Sequence, residues 1–227
     1  MIHPMDLTGK KILVITLLTT LDQVIIERIN SLGGIATILN FSTTELIEEE
    51  VMTLVKKQGK FDGIVFTIVH SDFKPLQFVK PDNVRVIMND NYGAFIEVMR
   101  SLKKAKGLND GASVVALSSI SSVRAMKAKM AFCASKAALD AAIRCLAVEL
   151  ADKGIRINSV QKGAVDVDTE KSHIQDVISI RDSENTTKQP LGVCKAEEIA
   201  NAVTFLLSDA VKTMTGTSLV IDGGYLA

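Results

Sequence analysis

The sequence predicts a doubly wound α/β domain, and three observations support that prediction. Short apolar segments alternate along the chain with longer segments of helical spacing. The apolar segments are nearly continuous, which is typical of parallel strands that are buried on both faces. The 227 residues are 47% hydrophobic and contain no linker-like stretch, so they can form a single domain with a substantial core. We therefore expect one domain over residues 1–227.

The predicted elements follow one another as strands and helices. An apolar run predicts the first strand at residues 12–16, and the periodic segment 22–32 predicts the first helix. Further strands are predicted at residues 36–39, 63–69, 113–117, 155–160 and 218–221, and further helices at 45–57, 82–104, 131–152 and 196–207. Because helical segments separate the strands, we expect a parallel sheet covered by helices on both faces.

Composition excludes several functional classes. The chain has 26 basic and 26 acidic residues, which gives no electrostatic reason to expect a nucleic-acid or membrane partner. The apolar run after Lys10 and Lys11 is short, contains Thr and lacks a cleavage pattern, so it predicts a strand rather than a signal peptide. The cysteines Cys133, Cys145 and Cys194 are scattered, which predicts neither a disulfide framework nor a metal site. We expect a cytoplasmic protein.

One predicted helix is too apolar to have a single solvent-facing side. Residues 131–151 are mostly Ala, Leu, Ile, Val and Cys, and the polar exceptions Lys136, Asp140 and Arg144 follow i,i+4 spacing. The helix around residues 91–102 is its natural companion, with the apolar residues Phe95, Val98, Met99 and Leu102. We expect self-association through these two helices. A large core within one chain is the alternative.

Several motifs in the C-terminal half occur in a fixed order. Residues 132–136 read Phe-Cys-Ala-Ser-Lys, and Ser119 lies thirteen residues before Phe132. Pro-Leu-Gly at 190–192 and Ile-Asp-Gly-Gly at 221–224 follow. In order and spacing, these motifs resemble the short-chain dehydrogenase/reductase superfamily, and most of all its 3-oxoacyl-carrier-protein-reductase-like branch. The resemblance implies a three-layer Rossmann-like fold and an NAD(P)-dependent oxidoreductase ancestry.

The N-terminal half is shorter than the resemblance implies. Only 25 residues separate Asn40 from Phe66, and they include one predicted helix. Members of the family have an additional strand and helix in this interval. We therefore expect that one strand–helix unit is deleted after residue 41, which leaves six strands instead of seven.

The resemblance also assigns the catalytic positions. In the family, a Ser binds the substrate carbonyl, a Tyr exchanges the proton, and a Lys lowers the Tyr pKa and binds the ribose. Ser119 and Lys136 match the Ser and the Lys, whereas Phe132 replaces the Tyr and has no proton to give. Alternative interpretations are that Ser119 ends a strand, that Lys136 pairs with Asp140 on the same helix, or that Ser119 and Lys136 form a nucleophile pair.

Two further polar positions fall near the predicted carboxyl edge of the sheet. The family has an Asn that holds a relay water, and Asp90 matches it, although a one-residue shift would place Asn89 or Asn91 there. His-Ser-Asp at 70–72 follows a strand where ligands bind in such folds, but a solvated loop is the simpler interpretation.

The loop that would hold the dinucleotide pyrophosphate departs from the family pattern. The family has Thr-Gly-x-x-x-Gly-x-Gly, whose glycines bring backbone N–H groups close to the phosphates. Residues 16–23 read Thr-Leu-Leu-Thr-Thr-Leu-Asp-Gln, so Thr16 is retained and Leu17, Leu21 and Gln23 replace the glycines. These side chains stand where the phosphates would need backbone donors.

The other cofactor positions are also altered. Leu-Asn-Phe at 39–41 carries neither the acidic nor the basic residue that selects NAD or NADP in the family. Phe-Thr-Ile-Val at 66–69 puts bulk where the family has Asn-Asn-Ala-Gly. Of the segment that holds the nicotinamide amide, Gly163 and Val165 remain, and Thr169 lies two residues late.

The replaced loop has a structural interpretation of its own. Thr20 and Gln23 fit a capping box, and Asp22 puts a carboxylate in the first helical turn, where the helix dipole favours it. We expect this helix end to be self-capped and free of anions. A rearranged loop that still admits a nucleotide is the alternative.

These observations predict a non-catalytic protein of this superfamily. We expect no cofactor, and a role as a subunit, scaffold or ligand-binding protein that could pair with an active relative. The alternative is an NAD(P)-dependent oxidoreductase of the carbonyl or 3-oxoacyl reductase type with an atypical site.

Overall fold

The computed structural model describes residues 4–167 and 189–227, and their strands form one parallel sheet. Thr169 therefore lies outside the described residues. The strands are β1 (Lys11–Thr16), β2 (Ile35–Asn40), β3 (Phe61–Phe66), β4 (Leu108–Ser119), β5 (Arg156–Lys162) and β6 (Ser218–Ile221). Their order in the sheet is β2-β1-β3-β4-β5-β6, and every pairing is parallel. The predicted six-stranded, doubly wound sheet is confirmed.

Helices cover both faces of this sheet. They are α1 (Thr20–Ser31), α2 (Ile47–Gln58), α3 (Pro81–Met88), α4 (Ala94–Lys104), α5 (Met130–Glu149) and α6 (Ala196–Leu207). One buried cluster joins the sheet to α2, α4 and α5, and a second joins it to α1 and α6. Within the described part of the chain, no helix is both long enough and apolar enough to cross a membrane.

The outermost strands are less buried than their apolar sequences predict. We expected buried strands throughout, but β2 and β6 have a neighbour on one side only. As a result, Ile35, Ile38 and Val220 remain exposed. The short connection from β2 to β3 contains α2 and no additional strand, so nothing in the described chain lies beyond β2 in the sheet.

The helix predicted over residues 82–104 is interrupted by a wider turn. A π-helical turn, Asn89–Gly93, lies between α3 and α4. Such turns often occur at functional sites because they insert a residue and redirect the side chains around it. Here the turn redirects Asp90, the residue that the resemblance matches to the relay Asn, and its neighbour Asn91.

The apolar residues predicted to form a self-association face belong to the core of the chain. Phe95, Val98, Met99 and Leu102 of α4 are all buried within one chain and pack against the sheet. Two of the three polar residues on α5, Lys136 and Asp140, are buried as well, so they do not form a solvent-facing stripe. The alternative of a large core within one chain accounts for these residues. The exposed side of α5 instead carries small residues and Val148.

Candidate functional site

The N-terminus of α1 is capped by its own side chains. Thr19 is the N-cap, and its hydroxyl accepts a hydrogen bond from the N–H of Asp22 at 3.3 Å. The Asp22 carboxylate in turn accepts from the N–H of Thr19 at 2.9 Å and from the hydroxyl of Thr16 at 2.7 Å. Asp22 is buried, so a carboxylate with two donors occupies the position next to the start of the helix.

The capping box lies one residue earlier than the sequence predicted. We predicted a pair of Thr20 and Gln23, but the structure pairs Thr19 with Asp22, because Thr19 is the last residue with extended backbone geometry. The side-chain amide of Gln23 is on the surface and reaches only the carbonyl of Leu18, at 3.5 Å. The signal for the observed cap was present in the sequence, since Thr19-x-x-Asp22 is itself a capping pattern.

The leucines that replace the family glycines are placed differently from each other. Leu21 is buried in the cluster beneath α1, whereas Leu17 is exposed in the loop between β1 and α1. Between them, Leu18 has a left-handed backbone with a φ of 57°, a conformation that favours glycine. The N–H of Leu18 donates to the hydroxyl of Thr16 at 2.8 Å. The loop therefore directs this backbone donor inward to the chain.

The segment after β3 is filled by side chains. Phe66 and Ile68 are fully buried. The ring of Phe66 contacts that of Phe95 edge-on, with 5.4 Å between the ring centroids. Thr67 donates its N–H to the carbonyl of Ile15 at 3.0 Å. Residues 66–69 thus bond and pack against the chain itself, at the place where the family has a small, backbone-exposing turn.

The two retained positions after β5 are packed against the C-terminal segment. Gly163 donates its N–H to the carbonyl of Ile221 at 2.8 Å, and a Cβ at Gly163 would come within 3.0 Å of the Cα of Asp222. Val165 is fully buried and bridges to Cys194. Both positions therefore have a structural reason to be Gly and Val that needs no nicotinamide.

Lys136 is buried completely, and its ammonium is held by backbone carbonyls. Its Nζ donates to the carbonyl of Ile68 at 3.0 Å and to that of Leu117 at 3.1 Å, which ties α5 to the ends of two strands. The pKa of the Lys136 ammonium is lowered to about 7, chiefly by burial and then by the positive charge of Lys162, while Asp140 acts in the opposite direction.

Asp140 is not a hydrogen-bonded partner of Lys136. Its carboxylate accepts from the hydroxyl of Ser159 at 2.9 Å and from the amide of Gln161 at 2.8 Å, both on β5. The i,i+4 pairing that we considered for α5 is thus replaced by a bond from the helix to the sheet. Because the sequence does not show which strand lies beneath α5, only the tertiary structure reveals this contact.

Phe132 and Ser119 lie at the ends of α5 and β4 that face the same edge of the sheet. The Phe132 ring is buried and lies 5.5 Å from the Nζ of Lys129. The Ser119 hydroxyl donates to that of Ser121 at 3.1 Å and accepts from the N–H of Ser121 at 3.1 Å. Ser119 therefore caps the turn that follows β4, which agrees with the interpretation that it ends a strand.

The π turn brings Asn91, rather than Asp90, toward α5. The amide of Asn91 donates to the hydroxyl of Ser135 at 2.9 Å and to the carbonyl of His70 at 2.7 Å, and its oxygen accepts from the N–H of His70 at 2.7 Å. Asp90, the position we predicted, instead pairs with Nδ1 of His70 at 2.7 Å. The structure therefore favours the one-residue shift that the sequence left open.

Together, Asp90 and Asn91 hold His70 through both its ring and its backbone. The loop at 70–72 is thereby fixed at its first residue, although the His70 ring itself remains partly exposed. No group of three His, Cys, Asp or Glu side chains within residues 4–167 and 189–227 could hold a metal ion. The polar groups that the structure gathers at this edge are those of Ser119, Lys136, Asn91 and His70.

Comparisons with known proteins agree on one family. The family model described as Enoyl-(Acyl carrier protein) reductase matches residues 7–226. A 3-oxoacyl-[acyl-carrier-protein] reductase from Rickettsia felis is 30% identical over 207 residues, which cover 88% of this chain and 83% of that protein. An L-rhamnose 1-dehydrogenase (NAD(P)(+)) from Azotobacter vinelandii is 27% identical over 202 residues, which cover 87% of this chain and 78% of that protein.

A solved structure shows the same fold. A short-chain dehydrogenase/reductase from Serratia marcescens matches with a TM-score of 0.86 and 21% identity, over 99% of this chain and 100% of that one. The similarity therefore extends through the N-terminal half, where the sequence motifs are weakest.

The cap of α1 gives a first testable prediction. Thr19→Ala should lower the free energy of unfolding by about 1 kcal/mol, because the N-cap acceptor is lost. Asp22→Ala should lower it by about 1–3 kcal/mol, because two buried donors lose their acceptor. Thr20→Ala is the matched control and should change it by less than about 0.5 kcal/mol. Urea unfolding measures all three, and equal losses at Thr19 and Thr20 would contradict the observed cap.

The buried ammonium of Lys136 predicts a dependence of stability on pH. The pKa of Lys136 is about 7 in the folded chain, and its ordinary value is 10.5. Between these two pH values the unfolded chain therefore binds more protons than the folded chain. Stability should therefore rise with pH across that window, by up to ~1.4 kcal/mol per pH unit. Lys136→Met should lack this rise, and Lys103→Met, at an exposed lysine, should keep it. Equal slopes for the wild type and Lys136→Met in urea unfolding would refute the prediction.

Proposed function

Because this chain belongs to the short-chain dehydrogenase/reductase superfamily, in its 3-oxoacyl-carrier-protein-reductase-like branch, we propose that it is a non-catalytic member. In this proposal it neither binds NAD(P) in the usual way nor transfers a proton. It acts instead as a subunit, a scaffold or a ligand-binding protein. We propose a cytoplasmic location, which the free cysteines Cys133, Cys145 and Cys194 support.

The observation that carries the proposal is the buried carboxylate of Asp22. A dinucleotide of this superfamily places its pyrophosphate at the N-terminus of the first helix, where backbone N–H groups and the helix dipole favour negative charge. Here Asp22 already supplies that negative charge and accepts from Thr19 and Thr16. A phosphate at the same place would meet a like charge and compete for donors that are already bonded. The residues present therefore do not fit the pyrophosphate.

The catalytic positions support the same proposal. Phe132 has no hydroxyl, so it cannot supply the proton that a positioned Tyr would supply, and such a loss typically costs ~10²–10⁴ in rate. Lys136 donates to the carbonyls of Ile68 and Leu117 from a fully buried position. These two hydrogen bonds join α5 to the sheet. Lys136 thus has backbone carbonyls as hydrogen-bond partners, where the resemblance implies a Tyr phenol and a ribose.

A second candidate function is an NAD(P)-dependent reductase of the carbonyl or 3-oxoacyl type. It is favoured by the arrangement of Ser119, Lys136 and Asn91, with Asn91 in place of Asp90 as the counterpart of the family's relay Asn. It is favoured also by the relatives named above, one of which is an NAD(P)(+) enzyme. In this candidate, Thr16, Leu17, Leu21, Gln23, Lys136, Gly163 and Val165 would line the cofactor. A group other than Phe132 would have to provide the proton.

A self-association face would suit a role without catalysis. The exposed side of α5 carries the small or apolar residues Ala134, Ala141 and Val148, together with Arg144. In this proposal, that side pairs with another copy or with an active relative of the same fold. An inactive subunit would then contribute its shape to an assembly whose chemistry is performed elsewhere.

Calorimetric titration with NADH and NADPH tests the proposal directly. We expect no heat and no thermal stabilisation up to millimolar nucleotide, because the carboxylate of Asp22 lies at the start of α1 and already accepts from the N–H of Thr19 and the hydroxyl of Thr16. An NADPH-binding relative with the intact glycine loop serves as the positive control. Micromolar binding of either nucleotide would contradict the proposal and favour the reductase.

Substitution of Phe132 separates the two lesions. Phe132→Tyr restores the missing phenol beside Lys136, but it leaves the cap of α1 unchanged. We expect no reduction of a 3-oxoacyl thioester or of simple ketones, measured by the loss of NADPH absorbance. Activity in Phe132→Tyr would show that the cofactor still binds and that the phenol was the only missing part. Phe95→Tyr, at a buried ring away from Lys136, is the matched control.

A further inference from the structure

The deletion after residue 41 leaves a strand edge without a neighbour. β2 is the outermost strand on its side of the sheet, and no described residue pairs with its outer edge. An open edge presents regularly spaced donors and acceptors that can pair with another chain. Proteins usually protect such an edge with charged residues, Pro or a bulge. The sequence of β2, Ile-Ala-Thr-Ile-Leu-Asn, has no charge and no Pro.

The outward hydrogen-bonding groups of β2 can be identified from its register. Ile35 donates its N–H to Lys10, and Phe41 donates to Thr16, so the odd-numbered residues bond inward to β1. Alternate residues point the other way in a parallel pair, so the N–H and C=O groups of Ala36, Ile38 and Asn40 point outward. The N–H of Ala36 is taken by the side chain of Asn30 at 3.3 Å. The groups of Ile38 and Asn40 are the ones available for pairing.

These groups are self-complementary. If a second copy aligns its β2 antiparallel with Ile38 opposite Ile38, each Ile38 donates to and accepts from its counterpart. Asn40 of each copy then donates to the outward carbonyl of Ala36 in the other. Such pairing uses both copies identically, as a two-fold interface requires. It also buries the Ile38 side chain, 46% exposed in one chain, against its counterpart.

Helix α2 carries charges that suit the same arrangement. Its first turn is acidic, with Glu48, Glu49 and Glu50, and its last turn is basic, with Lys56 and Lys57. A two-fold axis perpendicular to the sheet at Ile38 sets α2 antiparallel to α2 of the other copy. The acidic end of each helix then faces the basic end of its counterpart. If the strands paired in the parallel sense, the two α2 helices would lie on opposite faces of the joined sheet and their charges would not meet.

The side of α2 that faces the β2 edge can be assigned by the helical repeat. Glu48 pairs with Arg100 and Lys104, so its side faces α4. At 3.6 residues per turn, Glu50 and Lys57 lie about 160–180° around the helix from Glu48, on the side toward β2. Oε2 of Glu50 is buried and has no hydrogen-bond partner among the described residues. In the antiparallel pair, Lys57 of the second copy faces the side of α2 that carries Glu50.

We propose that the β2 edge is a homodimer interface, in which two copies of this chain pair β2 antiparallel about Ile38 and Glu50 of each copy pairs with Lys57 of the other. The two sheets then form one continuous sheet of twelve strands, since each contributes six. This interface is separate from α5 and does not depend on whether a cofactor binds.

Sedimentation velocity over a concentration series tests the strand pairing. Ile38→Lys places two ammonium groups opposite each other and should raise the dimer dissociation constant at least ~10-fold. Its own fold should be unchanged, because the side chain is half exposed, and a thermal melt checks this. Leu76→Lys, at an exposed side chain outside β2, α2 and α5, is the matched control and should leave this dissociation constant unchanged. If the wild type is monomeric at all concentrations, or if Ile38→Lys dimerises as the wild type does, the proposal is overturned.

Charge exchange on α2 tests the orientation. Glu50→Lys alone and Lys57→Glu alone should each weaken the dimer, because each places like charges opposite one another. The double variant Glu50→Lys/Lys57→Glu should recover the wild-type dissociation constant, which a merely structural role of Glu50 would not produce. Glu49→Lys/Lys56→Glu, at the solvent side of α2, should have little effect. Failure of the double variant to recover dimerisation would refute the antiparallel arrangement.

Hydrogen exchange supplies an independent readout of the same edge. In the dimer, the amides of Ile38 and Asn40 should be protected, and that protection should disappear in Ile38→Lys or on dilution. The inward amides of Ile35 and Leu39 should stay protected in both cases, because β1 holds them. Protection of Ile38 that is independent of concentration would contradict the proposal.

Discussion

Buried polar groups need hydrogen-bond partners, and at the carboxyl edge of this sheet the chain itself supplies those of Lys136, Asn91 and the start of α1. At the start of α1, the N–H of Asp22 donates to Thr19 and the N–H of Thr19 donates to the carboxylate of Asp22. The ammonium of Lys136 is satisfied by the carbonyls of Ile68 and Leu117. Asn91 is satisfied by the backbone of His70 and by Ser135. Each of these bonds fixes a loop or a helix end, so the architecture of the edge depends on them.

This self-satisfaction links stability to the proposed loss of function. A site that binds a charged cofactor must leave donors unpaired in the free protein, and such donors cost free energy when they are buried. In this chain, Asp22 accepts hydrogen bonds from Thr16 and Thr19 at the start of α1, and Lys136 donates to two backbone carbonyls. Under the proposed function, these bonds occupy groups by which a dinucleotide would be held. Stability and binding compete for the same hydrogen-bonding groups.

The shortened N-terminal half has an opposite effect at the other end of the sheet. Loss of one strand–helix unit leaves β2 uncovered, so backbone groups of Ile38 and Asn40 face outward. The chain therefore satisfies the polar groups of Lys136 and Asn91 internally at the carboxyl edge of the sheet, and at the β2 edge it leaves backbone groups available for pairing.

The parallel sheet and its six strands could be predicted from the sequence, because apolar runs and helical spacing are local signals. A parallel sheet that is covered by helices on both faces requires strands and helices with those patterns. The capping pattern near Asp22 and the missing phenol at Phe132 could also be read directly from adjacent residues. Single-residue details were less accessible from the sequence: the π turn directs Asn91 to Ser135 and Asp90 to His70, and the N-cap proved to be Thr19 rather than Thr20. Burial of Lys136, the bond from Asp140 to β5 and the burial of Phe95 and Val98 within one chain were decided only by the tertiary structure. Those contacts join residues far apart in sequence, so their partners depend on which strands and helices pack together.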